Sequence, residues 1–299
     1  MTKEKIIIDT DPGCDDATGI TLLLNSNKVD IKLITTSAGI LDIDSTTRNL
    51  LYILERFNKQ IPVCKGAPTP LFRKAKYVPD IQGKYGLGGF IPPKVNRKVS
   101  NEDSIDAMYK VIKENPHEIT FLELAPQTNL ARLFLKYPDS ESLLKQIIFE
   151  GGSPFGREKV KPHISFNISF DPESAKIVME SKTKKTIIPS ELGRYYVPFS
   201  EEQVEEIKHT NKTGEFFATM YKGYKSKYVN ATETNDVNAC MYLLYPEIYS
   251  TNLCSIKIDL EETPGKTIIT DNDGDIIFVN NVDKEKFYKF FMENLKCIK

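Results

Sequence analysis

Several features that would assign this chain to a common class are missing from its sequence. No apolar run approaches the length of a membrane-spanning helix, and the formal net charge at pH 7 is only -1. Proteins that bind nucleic acids or anionic membrane surfaces usually carry an excess of positive charge. We therefore expect neither a nucleic acid nor a membrane as a partner. The first residues, Met1–Lys5, lead directly into a predicted strand without the pattern of a signal peptide.

Cysteine is also scarce and shows no pairing pattern. The five cysteines are odd in number, and no two of them are spaced as a Cys-x-x-Cys pair. This spacing argues against a disulfide framework and against a zinc site. We therefore expect a protein of the reducing cytoplasm.

What the sequence does contain is an alternation of predicted strands and helices. Its 299 residues, of which 40% are hydrophobic, are enough for a sizeable core. Strands are predicted at Ile6–Ile8, Ile31–Thr36, Ile61–Lys65, Ile119–Leu124 and Gln146–Glu150, and helices at Ala17–Leu24, Ser45–Phe57, Asp103–Glu114, Asn129–Tyr137 and Pro172–Ser181. This order predicts an α/β fold with a mainly parallel sheet and helices on both faces. No linker interrupts the chain, so we expect a single large domain over residues 1–299.

The last third of the chain follows a different pattern. Helices are predicted at Glu201–Lys208, Thr213–Tyr228 and Val237–Tyr245, and strands at Ser255–Leu260, Thr267–Thr270 and Ile276–Asn280. The acidic segment Asp271–Asp275 starts like a calcium-binding EF-hand loop, but its glycine comes too early and no glutamate ends a twelve-residue loop. We interpret it as a hairpin turn. The glycine-rich segment Gly83–Gly89 does not join a strand to a helix, so it is neither a dinucleotide fingerprint nor a P-loop.

The most informative segment follows the first predicted strand. Four carboxylates, Asp9, Asp11, Asp15 and Asp16, lie within eight residues around the turn Pro12-Gly13. Like charges this close in a partly buried loop are unfavourable unless they are protonated or neutralised by a cation. A plain turn with a capped helix needs only one or two acids. A carboxylate cluster favours a hard ion, Ca²⁺ or Mg²⁺, and strand ends in α/β sheets are where ligands bind.

The segment Asp9–Ala17 resembles the signature of the nucleoside hydrolases, the inosine–uridine-preferring family. The resemblance continues in order and at the expected spacings from about Ile6 to the C-terminus. Further matching segments are Thr46–Asn49, Gly83–Gly89, Ala125–Ala131, Gly151-Gly152, Phe166–Ala175 and Asn235-Asp236. The first motif is highly specific, and the others are individually weak but jointly strong. The resemblance implies an open, mostly parallel, Rossmann-like sheet and a tightly held Ca²⁺ that binds the ribose 2′- and 3′-hydroxyls.

Carried over position by position, the resemblance also implies a set of site residues. The implied Ca²⁺ ligands are Asp11, Asp16, the backbone carbonyl of Leu124, and Asp236. Asp236 could instead serve as the N-cap of the predicted helix that follows it. Asp15 would accept a hydrogen bond from a ribose hydroxyl, and Asn167 would contact the sugar. Asp11 would in addition be the general base that takes a proton from the attacking water, while the other carboxylates stabilise positive charge on the ribose.

The sequence departs from the family on the side of the base. Asn235 stands at the catalytic position where many members have a histidine that protonates the leaving base, and an asparagine cannot act as that acid. Gln82 stands where a second histidine is common. The purine-specific branch stacks the base between tryptophans, which this chain lacks. Tyr224 and Tyr228, four residues apart on one predicted helix, could face the base instead, or could simply pack in the core.

The sequence also departs from the family on the side of the sugar. Ile40 and Lys159 stand near positions where members usually have asparagine, and Ser165 replaces a glutamate. A carboxylate is therefore lost and an ammonium gained, in a locally basic segment with Arg157, Lys161 and His163. Such a segment can be an ordinary solvated loop. Alternatively, it forms a site for an anionic 5′ substituent such as a phosphate.

Together these observations predict a Ca²⁺-dependent N-ribosyl hydrolase. Its partner would be a small-molecule nucleoside or nucleotide, unmodified or modified, from which it releases free base and ribose in nucleoside salvage. The resemblance implies a homodimer or homotetramer. One alternative is a riboside-binding protein or sensor that keeps the metal site but has lost hydrolysis; Asn235, Gln82 and Ile40 favour it, and the retention of Asp11 opposes it. A weaker alternative is Mg²⁺-dependent phosphoryl chemistry.

Overall fold

The computed structural model describes residues 2–155, 164–224 and 229–298, and these contain one large sheet. Its strands are β1 (Glu4–Thr10), β2 (Val29–Thr36), β3 (Val63–Lys65), β4 (Ile119–Glu123), β5 (Gln146–Glu150), β6 (Lys185–Ile188), β7 (Tyr249–Ile258) and β8 (Thr267–Val282). Their order across the sheet is β3-β2-β1-β4-β5-β6-β8-β7. Neighbouring strands run parallel except β7 and β8, which are antiparallel. The predicted mostly parallel α/β sheet is confirmed.

Helices connect the strands, as the alternating pattern predicted. They are α1 (Cys14–Asn25), α2 (Ile43–Arg56), α3 (Pro79–Gln82), α4 (Ser104–Glu114), α5 (Thr128–Lys136), α6 (Ser140–Leu143), α7 (Phe166–Phe170), α8 (Pro172–Glu180), α9 (Glu201–Thr210), α10 (Lys212–Gly223), α11 (Asn235–Leu244) and α12 (Lys284–Cys297). None of the helices in the described ranges is long and apolar enough to cross a membrane.

The central strand β1 shows why both faces of the sheet are covered. Ile6, Ile7 and Ile8 are fully buried, although successive side chains of a strand point to opposite faces. Ile6 and Ile8 belong to the hydrophobic cluster on one face, and Ile7 belongs to the cluster on the other. A continuous apolar run of this kind is typical of a parallel strand buried between two helical layers.

The strand order places a ligand-binding position beside β1. The chain winds from β1 through β2 to β3 on one side, and from β4 through β5 to β6 on the other. The sheet therefore has a topological switch point between β1 and β4, where crevices form outside the carboxyl ends of the strands. Asp9 near the end of β1 is in register with Glu123 at the end of β4. The acidic segment after β1 accordingly opens into this crevice.

One prediction for the C-terminal region is wrong. The segment Asp271–Asp275 is not a hairpin turn, because it lies inside the continuous strand β8. Ser255 of β7 pairs with Asp271, whereas the preceding Cys254 pairs with Ile276, so residues 272–275 form a large bulge. A bulge absorbs extra residues in one strand without ending the pairing. The polar, glycine-containing segment therefore has the composition of a turn, but it lies within a strand rather than between two strands.

Several helix boundaries also differ from the predictions. The predicted helix Thr213–Tyr228 ends at Gly223, so Tyr224 is its C-cap residue and the two tyrosines do not share a described helix. Helix α11 begins at Asn235 with Thr234 as its N-cap, which places Asp236 inside the first turn rather than at the cap. The short strand β6 and the C-terminal helix α12 had not been predicted.

Candidate metal and ribose site

The first part of the site is built by the turn between β1 and α1. Gly13 is the N-cap of α1, which brings Asp15 and Asp16 into the first turn of the helix. Asp16 accepts hydrogen bonds from the Gly13 N–H at 3.0 Å and from the Thr10 hydroxyl at 2.6 Å. These two bonds fix the Asp16 carboxylate against the end of β1. The helix N-terminus also favours negative charge at this place.

The second part of the site is brought by α11, which packs against α1. Ligand oxygens of Asp15, Asp16 and Asp236 lie within 4.8 Å of one another. All three residues are buried, and the Oδ1 atom of Asp236 has no hydrogen-bond partner in the described part of the chain. A buried carboxylate oxygen without a partner is costly, so its presence among two further acids points to a ligand that is a cation.

Electrostatics supports the same conclusion. Burial, with added repulsion from Asp16, raises the pKa of Asp15 to about 7. Burial also raises the pKa of Asp236 well above its ordinary value, and the charges of Asp16 and Asp15 raise it further. Without a counter-charge the cluster therefore tends to hold protons. An oxygen-only set of this kind suits a hard divalent ion such as Ca²⁺ or Mg²⁺.

Asp11 lies beside this three-acid cluster and is held by a different element. Its Oδ2 atom accepts a hydrogen bond of 2.6 Å from the backbone N–H of Ile40, in the loop after β2. Gly39 allows this close approach, since a Cβ atom there would lie 2.0 Å from the same oxygen. Burial raises the pKa of Asp11 well above its usual value, and the charges of Asp16 and Asp15 add to the effect. Ile40 thus contributes its backbone rather than a polar side chain.

Two residues predicted for the ribose and the ion meet on the other side of the switch point. Asn167 of α7 donates from Nδ2 to the carbonyl oxygen of Leu124 at 3.1 Å, and to Oε2 of Glu150 at 2.9 Å. Glu150 was not predicted as a site residue, although it ends the apolar run of β5 at the sheet edge. Its Oε1 atom accepts a 2.6 Å bond from Ser190. Burial, with the charge of Asp15 among the contributing neighbours, raises the pKa of Glu150 to about 8.

Gln82 and Ser165 have structural partners at the rim of the site. Gln82 donates to Oδ1 of Asp15 at 3.2 Å and accepts a bond from the Cys14 N–H, so it braces the first turn of α1. Ser165 accepts a 2.7 Å bond from the Gly152 N–H. These contacts place both residues next to the predicted site, and their contact with substrate remains a prediction.

The predicted base-side and 5′-side residues are only partly within the described structure. Tyr224 is buried, and burial followed by the charges of Asp15 and Glu233 raises the pKa of its hydroxyl well above the usual value. Tyr224 also lines a cavity of about 480 Å³ together with Tyr221 and Thr232. Tyr228 and Lys159 lie outside the described residues.

An ion pair that the sequence did not reveal lies next to Asn235. Arg194, in the single π-helical turn Leu192–Tyr196 after β6, contacts Oε2 of Glu233 through Nε at 2.9 Å. The two side chains are 11% and 5% exposed, so the pair is largely withdrawn from water. Asn235 donates to the same Glu233 oxygen at 3.2 Å. No spacing in the sequence connects Arg194 to Glu233, and the one available signal was the position of Glu233 two residues before Asn235.

Behind the cluster, a second pair of acids stabilises the strand ends. Asp9 accepts bonds from the Thr35 hydroxyl and, at 2.9 Å, from the Asn129 amide. Burial raises the pKa of Asp9 to about 6, whereas burial and the charge of Asp9 raise the pKa of Glu123 well above its ordinary value. Asp9 and Glu123 occupy paired positions of β1 and β4, so this second pair of acids lies beneath the site.

The geometry defines an α/β protein with a buried carboxylate cluster, able to hold a metal ion, at the switch point of its sheet. The profile of the inosine-uridine preferring nucleoside hydrolase family matches residues 6–289. The chain belongs to this family and is an N-ribosyl hydrolase. The resemblance seen in the sequence is confirmed.

Individual relatives agree with this assignment. The chain is 30% identical over 267 residues to the non-specific ribonucleoside hydrolase RihC of Salmonella typhi, a match that covers 88% of this chain and 87% of the relative. A plant nucleoside hydrolase structure superimposes with a TM-score of 0.93 at 26% identity, covering 99% of each chain. The fold is also that of a purine-preferring ribonucleoside hydrolase from Gardnerella vaginalis, with a TM-score of 0.91 at 23% identity over 98% of each chain.

Proposed function

We propose that this enzyme uses Ca²⁺ to hydrolyse the N-glycosidic bond of a ribonucleoside, releasing free base and ribose for nucleoside salvage in the cytoplasm. The observation that carries the proposal is the cluster of Asp15, Asp16 and Asp236 at the switch point of a nucleoside hydrolase fold. Two further acids, Asp11 and Glu150, lie around it. This arrangement suits a reaction in which positive charge develops on a sugar.

The residues present fit the proposed ion. Asp16 and Asp236 would hold it together with Asp11 and the carbonyl of Leu124, so that every protein ligand is an oxygen atom. Within the described residues, the Oδ1 atom of Asp236 has no hydrogen-bond partner, and this observation supports a bound cation most directly. When bound, Ca²⁺ would supply the positive charge that lets these carboxylates stay ionised and would orient the ribose hydroxyls.

The ribose would be positioned by the side chains around that ion. Asp15, held by Gln82 at 3.2 Å, would accept a hydrogen bond from a ribose hydroxyl. Asn167, held by Glu150 and the Leu124 carbonyl, would contact the sugar from the opposite side of the crevice. Because both side chains are fixed by bonds to other elements, the sugar would be oriented without reorganisation of the protein.

The chemical step needs a proton acceptor and a negative environment. Asp11 would take a proton from the attacking water while the bond between C1′ and the base nitrogen breaks. Its backbone bond to Ile40 holds the carboxylate in one orientation, which suits a general base. The buried acids around the sugar would stabilise the oxocarbenium-like charge in the transition state.

The proposal can be tested with a panel of substrates. The purified protein is incubated with Ca²⁺ and nucleosides, their 5′-monophosphates and modified nucleosides, and the products are separated by chromatography. We expect free base and ribose, or ribose 5-phosphate, in equal amounts. Phosphate release without base release would support the Mg²⁺-dependent phosphoryl alternative instead.

A separate prediction concerns the selectivity of the enzyme for the 5′ substituent of its substrate. If Lys159 binds an anionic 5′ substituent, UMP should be hydrolysed more efficiently than uridine, and Lys159→Ala should remove that preference while leaving uridine hydrolysis nearly unchanged. This preference is measured as the ratio of kcat/KM for UMP to kcat/KM for uridine, in the wild type and in Lys159→Ala. Equal hydrolysis of uridine and UMP by the wild-type protein would contradict the phosphate hypothesis.

A second candidate function is supported by one specific observation. Asn235 stands where the resemblance implies a histidine acid, and its side chain is bonded to Glu233. A protein that binds Ca²⁺ and ribosides but does not cleave the ribosides would be consistent with this observation. Calorimetry that detects binding of both, with no base released from any member of the panel, would favour that function. A homodimer or homotetramer remains a prediction for either case.

A further inference from the structure

The starting point is a problem left by the proposed mechanism. When the bond between C1′ and the base breaks, its electron pair moves onto the base, and Asn235 cannot supply a proton to neutralise that charge. Another group must stabilise the departing base, or hydrolysis would be limited to exceptionally good leaving groups. Such a group has to lie close to Asn235, on the side of the crevice away from the sugar ring.

Arg194 is a positively charged residue that lies close to Asn235. Its guanidinium contacts Glu233 at 2.9 Å, and Asn235 donates to the same carboxylate oxygen at 3.2 Å. Glu233 therefore links the cation directly to the residue at the histidine position. Arg194 also lies close enough to Glu150 and Tyr224 to influence both groups electrostatically. The charge of Asp15 also acts on both of these groups, so the cation lies near the acid cluster.

The backbone keeps this arrangement fixed. Gly193 lies against the start of α11, where a Cβ atom at this glycine would be 2.5 Å from the Asn235 nitrogen and 2.6 Å from its Oδ1. The Oδ1 atom of Asn235 is buried and has no partner in the described part of the chain. A single π-helical turn presents Arg194, and such turns are frequent at functional sites. One oxygen of Glu233 therefore holds both the Arg194 guanidinium and the Asn235 amide group beside the start of α11.

We propose that Arg194 binds the leaving base and stabilises the negative charge that develops on it, with Glu233 as the residue that positions the guanidinium. This inference rests on the proposed hydrolytic function. The C1′–N bond breaks with its electron pair going to the base nitrogen, and the water oxygen forms the new bond to C1′ as Asp11 takes a water proton. The base departs as an anion hydrogen-bonded to Arg194 and is protonated by solvent afterwards.

The guanidinium itself keeps its proton, because its pKa is too high for proton transfer at neutral pH. It acts by charge and by its planar set of N–H donors, which match acceptors on the edge of a base. The ligand class is therefore a base that presents a carbonyl oxygen or ring nitrogen towards Arg194.

The test compares two leaving groups in the full-length protein with Ca²⁺. One substrate is the nucleoside that the wild type cleaves best, and the other is p-nitrophenyl riboside, whose nitrophenolate departs without stabilisation by the enzyme. For Arg194→Gln, we expect kcat/KM for the nucleoside to fall by about 10²–10³-fold, the usual cost of removing one charge-stabilising donor. The nitrophenyl riboside should lose far less, and added guanidinium should partly restore nucleoside cleavage by Arg194→Ala.

The matched control is Arg73→Gln, which removes another arginine–glutamate pair, Arg73 with Glu173 at 2.7 Å, neither of which belongs to the acid cluster. It should leave both activities near wild type. Equal losses for both substrates with Arg194→Gln would assign Arg194 a structural role, and no loss would remove it from the reaction; either result overturns the inference. If the wild type cleaves neither riboside, the proposed function itself has failed.

Discussion

Asp11→Asn should lower kcat for riboside hydrolysis by about 10²–10⁴-fold, the range expected when a general base is removed. The asparagine has nearly the same shape and can still accept the Ile40 N–H bond through its carbonyl oxygen, but it cannot take a proton from water. The substitution also removes one buried charge from a crowded region, so the folded state should not be destabilised. Single-turnover rates at saturating Ca²⁺ and substrate measure the effect on the chemical step.

Saturating Ca²⁺ matters because Asp11 is also a predicted ligand. A loss that disappears at high Ca²⁺ would show that Asp11 binds the ion and is not the base. The control is Glu123→Gln, which changes a buried acid on the neighbouring strand, in register with Asp9 behind the site. It should affect turnover far less than Asp11→Asn. Retained wild-type turnover in Asp11→Asn at all Ca²⁺ concentrations would refute the role assigned to Asp11.

The sequence predicted those parts of the fold and site that depend on local patterns. The apolar run Ile6–Ile8 and the following turn specify a buried parallel strand, its end and the start of a helix within about twenty residues. The sequence therefore placed Asp15 and Asp16 correctly, just beyond the carboxyl end of the first strand. Asp236 lies far along the chain, and the resemblance to the family was needed to associate it with them.

The residues that were missed reach the site by tertiary packing alone. Glu150 is one acid at the end of a short strand, and Arg194 is one arginine in a π-helical turn that no periodicity marks. Their significance depends on the partners that β5, β6 and α11 bring to them. The bulge at residues 272–275 was misread for a related reason: turn-forming composition is local, whereas the continuation of β8 depends on its pairing with β7.

The second large effect concerns the metal. Asp236→Asn should raise the melting temperature of the protein in EDTA and remove most of the stabilisation that Ca²⁺ gives the wild type. In the metal-free wild type, Asp236 is a buried acid beside Asp15 and Asp16, and its Oδ1 atom has no hydrogen-bond partner within the described residues. The neutral amide removes the cost of keeping this carboxyl group either charged or protonated. With Ca²⁺ at 100 times its Kd, a one-site ligand stabilises the folded state by about 2.7 kcal/mol. The two proteins should therefore change their order of stability between EDTA and Ca²⁺.

Asp236 is a better position for this test than Asp16, because Asp16 also bonds to Gly13 and Thr10 and its loss would weaken the start of α1. The matched control is Asp273→Asn, which removes an exposed acid from the bulge in β8, the segment that begins like a calcium loop. It should leave the Ca²⁺-induced shift intact. The test measures the melting temperatures of the wild type, Asp236→Asn and Asp273→Asn in EDTA, Ca²⁺ and Mg²⁺. If the Ca²⁺-induced rise in melting temperature is lost in Asp273→Asn and kept in Asp236→Asn, the ion does not bind at the switch point. The assignment of the acid cluster as its site would then be wrong.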